Sequence, residues 1–214
     1  MTTLEKKISA VAVIQTLMMG MLDAFTFIHF AGSFATAQTG NIVTFGVDIA
    51  RGQYGQALIH VPVFIGFLFG AAVAQLVKNY FSNYDKRRQF QIYLLISAIF
   101  VTMTFFGYPF GYMVFLFMLG MFSSYELTMF SEMGGHQVNN GIMTGNIKNL
   151  GNNLANYLFK GNKDAGKKAF WYSTGLLAFI VGILIGGIVM QPLVQYVLLL
   201  VAVVNIVMTI TFIN

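Results

Sequence analysis

Gln38-Thr39-Gly40-Asn41-Ile42 returns in this chain as Met143-Thr144-Gly145-Asn146-Ile147, so Thr-Gly-Asn-Ile is used twice, at 39 and at 144. The context returns with it. Gly46 follows the first copy and Gly151 follows the second at the same spacing. A Met-x-Gly-Met stands about 20 residues ahead of each, at Met18–Met21 and Met118–Met121. Apolar stretches with glycines four apart come after each, Gly66/Gly70 and Gly182/Gly186. A period of roughly 100 residues in a 214-residue chain implies one unit used twice, 1–107 and 108–214, within one structural domain.

Composition sets the solvent. Hydrophobic residues make up 57% of the chain and charged ones 9%, with mean hydropathy +0.72. Soluble domains carry about 25% charged residues, so this chain is expected in a bilayer. The net charge of +5 does not imply nucleic acid, because the basic residues gather in loops. No cysteine is present, which excludes disulfides and thiolate metal sites. Lys6 and Lys7 ahead of an apolar run resemble a signal peptide, but the run is too long and lacks a clear cleavage site. An uncleaved spanning helix is expected there.

Six stretches have spanning length and apolarity: 8–31, 57–78, 89–106, 109–131, 169–190 and 193–213. Pro109 and Pro192 sit in tight connections. Two Gly- and Asn-rich stretches remain, 32–56 and 132–160, each holding one triplet. Lys6/Lys7, Lys86-Arg87-Arg88 and Lys160 to Lys168 all fall on one side only if six segments cross, with both termini cytoplasmic. Full crossings by the triplet helices would put Lys86-Arg87-Arg88 outside. The helices after the triplets, near 40–52 and 145–159, are therefore expected to be re-entrant. Their length of about 18–22 Å falls short of a ~30 Å core. The expected fold is all-α transmembrane: six spanning helices plus two re-entrant half-helices, in two inverted-topology repeats of three spans each. Such repeats place a solute site near midplane, where half-helix ends converge.

The candidate substrate-binding residues are Thr39, Gly40, Asn41, Thr144, Gly145 and Asn146. Glycine permits the turn, asparagine offers donor and acceptor, and first-turn N–H groups face the site. Facing helix starts favour an anion or a polar neutral solute. The same residues could instead cap helices and bond neighbouring spans. Asp23, inside the first span, is either a proton carrier or a packing hydrogen bond; its counterpart in the second unit is Ser123. Lys148 falls in the first turn of the second half-helix, where a cation opposes the dipole and calls for Asp23, Glu126, Glu132 or a bound anion. Asp23, Lys148 and Glu126 are the candidates for proton coupling or charge tuning. Glu132 reads as a solvated loop charge. His29 and His60 are expected near the outer face and His136 near the inner mouth, with no metal spacing among them. Asp48, Asn149, Asn152, Asn153 and Asn156 make the half-helices polar enough to line a vestibule. No nucleophile–base pair, phosphate loop, cofactor or metal motif is present, so an enzyme is not expected.

Gly20-Met21-Leu22-Asp23-Ala24-Phe25, Gln38 to Ile42 and Gly66 to Gly70 together resemble the YoaK family of bacterial membrane proteins, also called DUF1275 or UPF0700. The resemblance covers essentially the whole chain. It implies a small multi-pass protein of the bacterial cytoplasmic (inner) membrane and brings no assigned activity. Asp23 and the two triplets are the positions it carries over, and Met143 in place of Gln38 is a departure. The expected function is a transporter or channel for a small polar or anionic solute in the lipid bilayer. The rival is a non-transporting scaffold or sensor whose motifs only pack the repeats. A homo-oligomer stays open.

Overall fold

The computed structural model describes residues 1–138, 141–189 and 194–211. Among the described residues there are eight α-helices: α1 (Thr3–His29), α2 (Gln38–Ala50), α3 (Tyr54–Tyr80), α4 (Lys86–Gly107), α5 (Tyr112–Met129), α6 (Met143–Lys160), α7 (Lys163–Val189) and α8 (Val194–Thr211). A single 3₁₀ turn at Tyr108–Phe110, with Pro109 in it, joins α4 to α5. Among the described residues five helices are long and apolar enough to cross a bilayer: α1, α3, α4 with its 3₁₀ turn, α5 and α7. Over the sixth expected span, 193–213, lies α8, whose described apolar part, Val197–Thr211, is shorter than those five. Pro192 lies outside the described residues.

Local chemistry sets the helix ends. Thr2 and Glu5 form a reciprocal capping box at the start of α1. Asp85 accepts from the Arg88 amide to begin α4. Gly161, left-handed at φ 64°, ends α6. Between α5 and α6 the sequence reading foresaw no strands. The structure has a small hairpin, β1 (Glu132–Met133) paired antiparallel with β2 (His136–Gln137). Its turn is Gly134-Gly135, both at positive φ, the geometry that two-residue hairpins require.

Beside an apolar core, the bundle buries polar side chains and leaves many large apolar ones exposed. Gln15, Thr16, Asp23, Ser97, Thr104, Ser123, Glu126 and Asn205 are buried, while Leu68, Phe69, Ile99, Phe106, Leu184 and Ile188 are exposed. Water would reverse that arrangement and hydrocarbon demands it. Thr16, Thr26, Thr104, Thr128 and Thr209 each donate to a carbonyl one turn back, which satisfies the hydroxyl without a partner helix. The chain is an all-α, multi-pass membrane protein.

Two helix pairs dominate the packing, and glycines at matching spacings make both. On α1 and α7, a Cβ at Gly182 would strike the Leu17 carbonyl, one at Gly186 the Met21 carbonyl, and one at Gly20 the Phe179 carbonyl. On α3 and α5, Gly66 meets the Phe117 carbonyl, Gly70 that of Met121, and Gly120 that of Val63. Only glycine lets these backbones touch. Ascending numbers on one helix match ascending numbers on the other, so each pair runs parallel. By contrast α8 is antiparallel to α1, with Lys7 at Thr211 and Gln15 at Asn205. α4 is antiparallel to α5, with Tyr93 at Tyr125 and Gly107 beside Val114 and Met118. α4 is antiparallel to α8 as well: Arg88 lies near Thr209, and Ser97 meets Asn205. Helices α1, α4 and α7 thus point one way and α3, α5 and α8 the other. The chain enters and leaves α2 at one end of the bundle, and α6 at the opposite end.

Candidate functional site

Asp23 sits on α1 six residues before the helix ends, about 9 Å along the axis. Beyond His29 the chain reverses through Ala31 and Gly32, both at positive φ. It then runs back beside the helix it has just left. The Ala35 amide donates to the Thr26 hydroxyl at 3.1 Å. The Thr36 amide donates to Asp23 Oδ1 at 2.8 Å, and the Thr36 hydroxyl to Asp23 Oδ2 at 2.6 Å. Both carboxylate oxygens are therefore engaged by one residue, and Asp23 is buried.

The second loop enters from the other end. Gly134 lies against Trp171, Val138 against Gly175, and Gly141 shares a cavity wall with Phe179 and Ile183. From residue 171 to 183 on α7 is about 18 Å of rise, so this segment climbs deep into the bundle. The two loops touch. Thr36 Oγ1 lies 3.3 Å from the Gly141 carbonyl, a weaker share of the proton it gives Asp23. A Cβ on Gly141 would stand 2.7 Å from the Thr36 Cβ, so the approach requires glycine. Thr36 and Gly141 are 105 residues apart, the spacing of the triplets.

Each loop ends in a helix start. α2 begins after Ala37 (φ −87°, ψ 73°) and α6 after Ile142 (φ −99°, ψ 77°), and neither has a side-chain cap. Their first-turn N–H groups carry the positive end of each helix dipole towards the centre. Between them lies a cavity of about 510 Å³, open on one side, lined by Asp23, Ala37, Gly141 and Thr144 together with the exposed Phe27, Ile28 and Ile183. A smaller one of about 270 Å³ separates α2 from α3 and is lined by Asn41, Phe45, His60 and Phe64.

The triplet residues divide in role. Thr39 and Thr144 are both exposed, and Thr144 stands on the wall of the central cavity. Gly40 faces the Phe34 ring, where a Cβ would stand 2.9 Å away. Gly145 is half-buried. Asn41 is buried and holds its own loop: Oδ1 accepts from the Phe34 amide at 2.8 Å, and Nδ2 donates to the Phe34 carbonyl at 2.8 Å and Gln38 Oε1 at 3.0 Å. Asn146 is buried too, with Nδ2 donating to Met143 Sδ at 3.6 Å. Asn41 thus shapes the loop ahead of α2.

Lys148 is exposed on α6, and the carboxylates considered for it bond elsewhere. Asp23 holds Thr36, Glu126 holds Ser97, and Glu132 pairs with Lys86 at 2.9 Å. Glu126 lies outside the central cavity, between α4 and α5. His60, near the start of α3, is 1% exposed, with Nε2 3.7 Å from Asp48 Oδ2 across α2 and α3. His29 is exposed at the end of α1, and His136 lines a wide pocket with Lys163 and Lys167. Asn149 donates to the Tyr172 hydroxyl at 3.4 Å and Asn153 to the Asn149 carbonyl, so part of the polar face of α6 is spent on α7 and on α6 itself. Asn152 is exposed and Asn156 half-buried. Among the described residues no group of three His, Asp or Glu side chains could hold a metal ion.

Sequence reasoning missed Thr36 and Gly141, although they repeat the 105-residue spacing. It also missed Gln15, Ser97 and Asn205, which no motif marks. No curated protein and no solved structure matched the chain. Residues 11–211 match the model of the family described as protein of unknown function, DUF1275. The match spans nearly the whole bundle, from the first span to the last, and this multi-pass all-α membrane protein belongs to the DUF1275 family.

Proposed function

We propose that this protein is a transporter or channel for a small polar or anionic solute. It is built as two inverted repeats of three spans, with α2 and α6 as re-entrant half-helices. The helix directions support the architecture, because α2 and α6 each leave the chain at the end where it entered. The matching glycine contacts support the repeat: Gly20, Leu17 and Met21 in one pair answer to Gly120, Phe117 and Met121 in the other. The observation that carries the functional reading is the meeting of Thr36 and Gly141 from opposite ends beside a shared cavity. Non-helical backbone at that depth is tolerated where it lines a cavity or is buried in protein.

In this reading the solute lies between the starts of α2 and α6, held by their first-turn N–H groups and by Thr144. Thr39, Gly40, Asn41, Gly145 and Asn146 set the shape of the two loops, and Lys148 adds positive charge on α6. Asp23 is the coupling carboxylate. A solute that displaced Thr36 would free it to take up a proton, and would loosen the contact with Gly141 at the same moment. Engagement of both Asp23 oxygens and of Asn41 by protein groups favours the rival reading, a scaffold whose motifs only pack the halves. Flux decides between them. Protein reconstituted in liposomes is expected to move at least one small polar solute or anion from a broad panel. Thr144→Leu, which fills the cavity, should lower that flux at least tenfold. A panel with no mobile solute, or a flux indifferent to Thr144→Leu, removes the transport reading.

A further inference from the structure

We propose that Glu126 is a proton-binding site, separate from the central cavity and wired to both halves of the bundle. Four helices bring one buried chain of polar side chains together. Gln15 Nε2 on α1 donates to Asn205 Oδ1 on α8 at 2.5 Å. Asn205 Nδ2 donates to Ser97 Oγ on α4 at 2.5 Å. Ser97 in turn bonds Glu126 Oε1 on α5. All four side chains are 0% exposed. Every donor in the chain points towards the carboxyl, which is where the polarity of the chain collects.

The other oxygen decides the chemistry. Glu126 Oε2 is buried with no partner among the described residues, and so are Ser123 Oγ, one turn earlier on α5, and Gln15 Oε1. An ionised carboxylate there would need a cation, and among the described residues the facing elements supply none. From α4 come Ser97 and the Tyr93 and neighbouring backbone, with the Tyr125 hydroxyl donating to the Tyr93 carbonyl at 3.1 Å. From α8 and α1 come only amides. Lys78, on α3, is committed to the Thr128 carbonyl at 2.5 Å. A proton on Oε2 is the smallest ligand that neutralises the group, and it turns an orphan acceptor into a donor. Gln15 and Ser97 belong to the first half, Glu126 and Asn205 to the second. Gain or loss of that proton therefore acts on the packing between halves, independently of whether any solute crosses.

Infrared difference spectroscopy of the whole protein in lipid tests this. Between acid and alkaline buffer, the wild type should lose a protonated-carboxyl C=O band. The band should be missing in Glu126→Gln, which keeps the side-chain length, and kept in Asp23→Asn. In Ser97→Ala it should shift to higher frequency, since one hydrogen bond is gone. A pH-dependent band that is unchanged in Glu126→Gln, or unshifted in Ser97→Ala, overturns the proposal. So does a wild type whose carboxyl bands do not respond to pH. Because no solute enters the assay, these outcomes leave the transport reading to its own test.

Discussion

The parallel glycine seams make a paired prediction, worked from the space around each residue. At Gly66 and Gly182 an added Cβ lands inside the carbonyl oxygens of Phe117 and Leu17. Both obstacles are backbone, so neither can swing away, and the helices must separate along the seam. Overpacking of this kind costs about 1–3 kcal/mol, and more where backbone must move. Gly66→Ala and Gly182→Ala are each expected to destabilise the fold by about 2–3 kcal/mol, and by similar amounts, because the geometry at both sites is the same. Gly46 and Gly151 provide the control, since nothing lies within 4 Å of a Cβ at either. Both sit inside helices, α2 and α6, so alanine should stabilise by about 0.5–1 kcal/mol through lost unfolded-state freedom. The assay is reversible unfolding in mixed micelles, followed by far-UV circular dichroism. Opposite signs for seam and control positions are the expected result. A seam alanine that stabilises, or two seam positions differing severalfold, would refute the contact geometry.

Further expectations follow from single contacts. Thr36→Val keeps the volume at the loop tip but removes the 2.6 Å bond to Asp23. It should cost about 1.5–3 kcal/mol in the same assay, and a double-mutant cycle with Asp23→Asn should show coupling; additive effects would deny the contact. Gly134→Ala should lower stability more than Gly135→Ala. Both have positive φ, but a Cβ at Gly134 strikes Trp171 while Gly135 faces open space. Equal losses would place Trp171 elsewhere. Lys86→Ala should cost under about 1 kcal/mol, since its pair with Glu132 is partly exposed. Single cysteines at Arg51 and Lys163, in a chain with no native cysteine, should react with an impermeant thiol reagent from opposite faces. Labelling of both from one face rejects the six-crossing orientation.

What the sequence disclosed was pattern, and what it concealed was partnership. Hydropathy and charge placed the long helices, and α2 and α6 start at Gln38 and Met143, one residue before each triplet threonine. The glycines four apart were legible as close-approach positions, though not which backbone each would meet. Repetition drew attention to Asn41 and Asn146 as ligands, yet an asparagine that folds a loop and one that holds a solute share the same sequence signature. Asn41 turned inward because Phe34 offers it both an amide and a carbonyl. Gln15, Ser97 and Asn205 are single polar residues in separate apolar spans, up to 190 positions apart, and only packing brings them to Glu126. The hairpin at Glu132–Gln137 is two residues per strand, too short for any alternation to register.

The claim beneath the account is that two loops entering from opposite ends meet around a cavity that water can reach. Ala37 and Thr144 line that cavity from the two sides, and the chain has no cysteine of its own. Cysteines placed at both positions and treated in membranes with a short bis-methanethiosulfonate, which links two thiols and releases sulfinate, provide the measurement, read by peptide mass mapping. The account predicts an intramolecular link between residues 37 and 144. Two cysteines that each take up the reagent but never join, or that take up none at all, would contradict it.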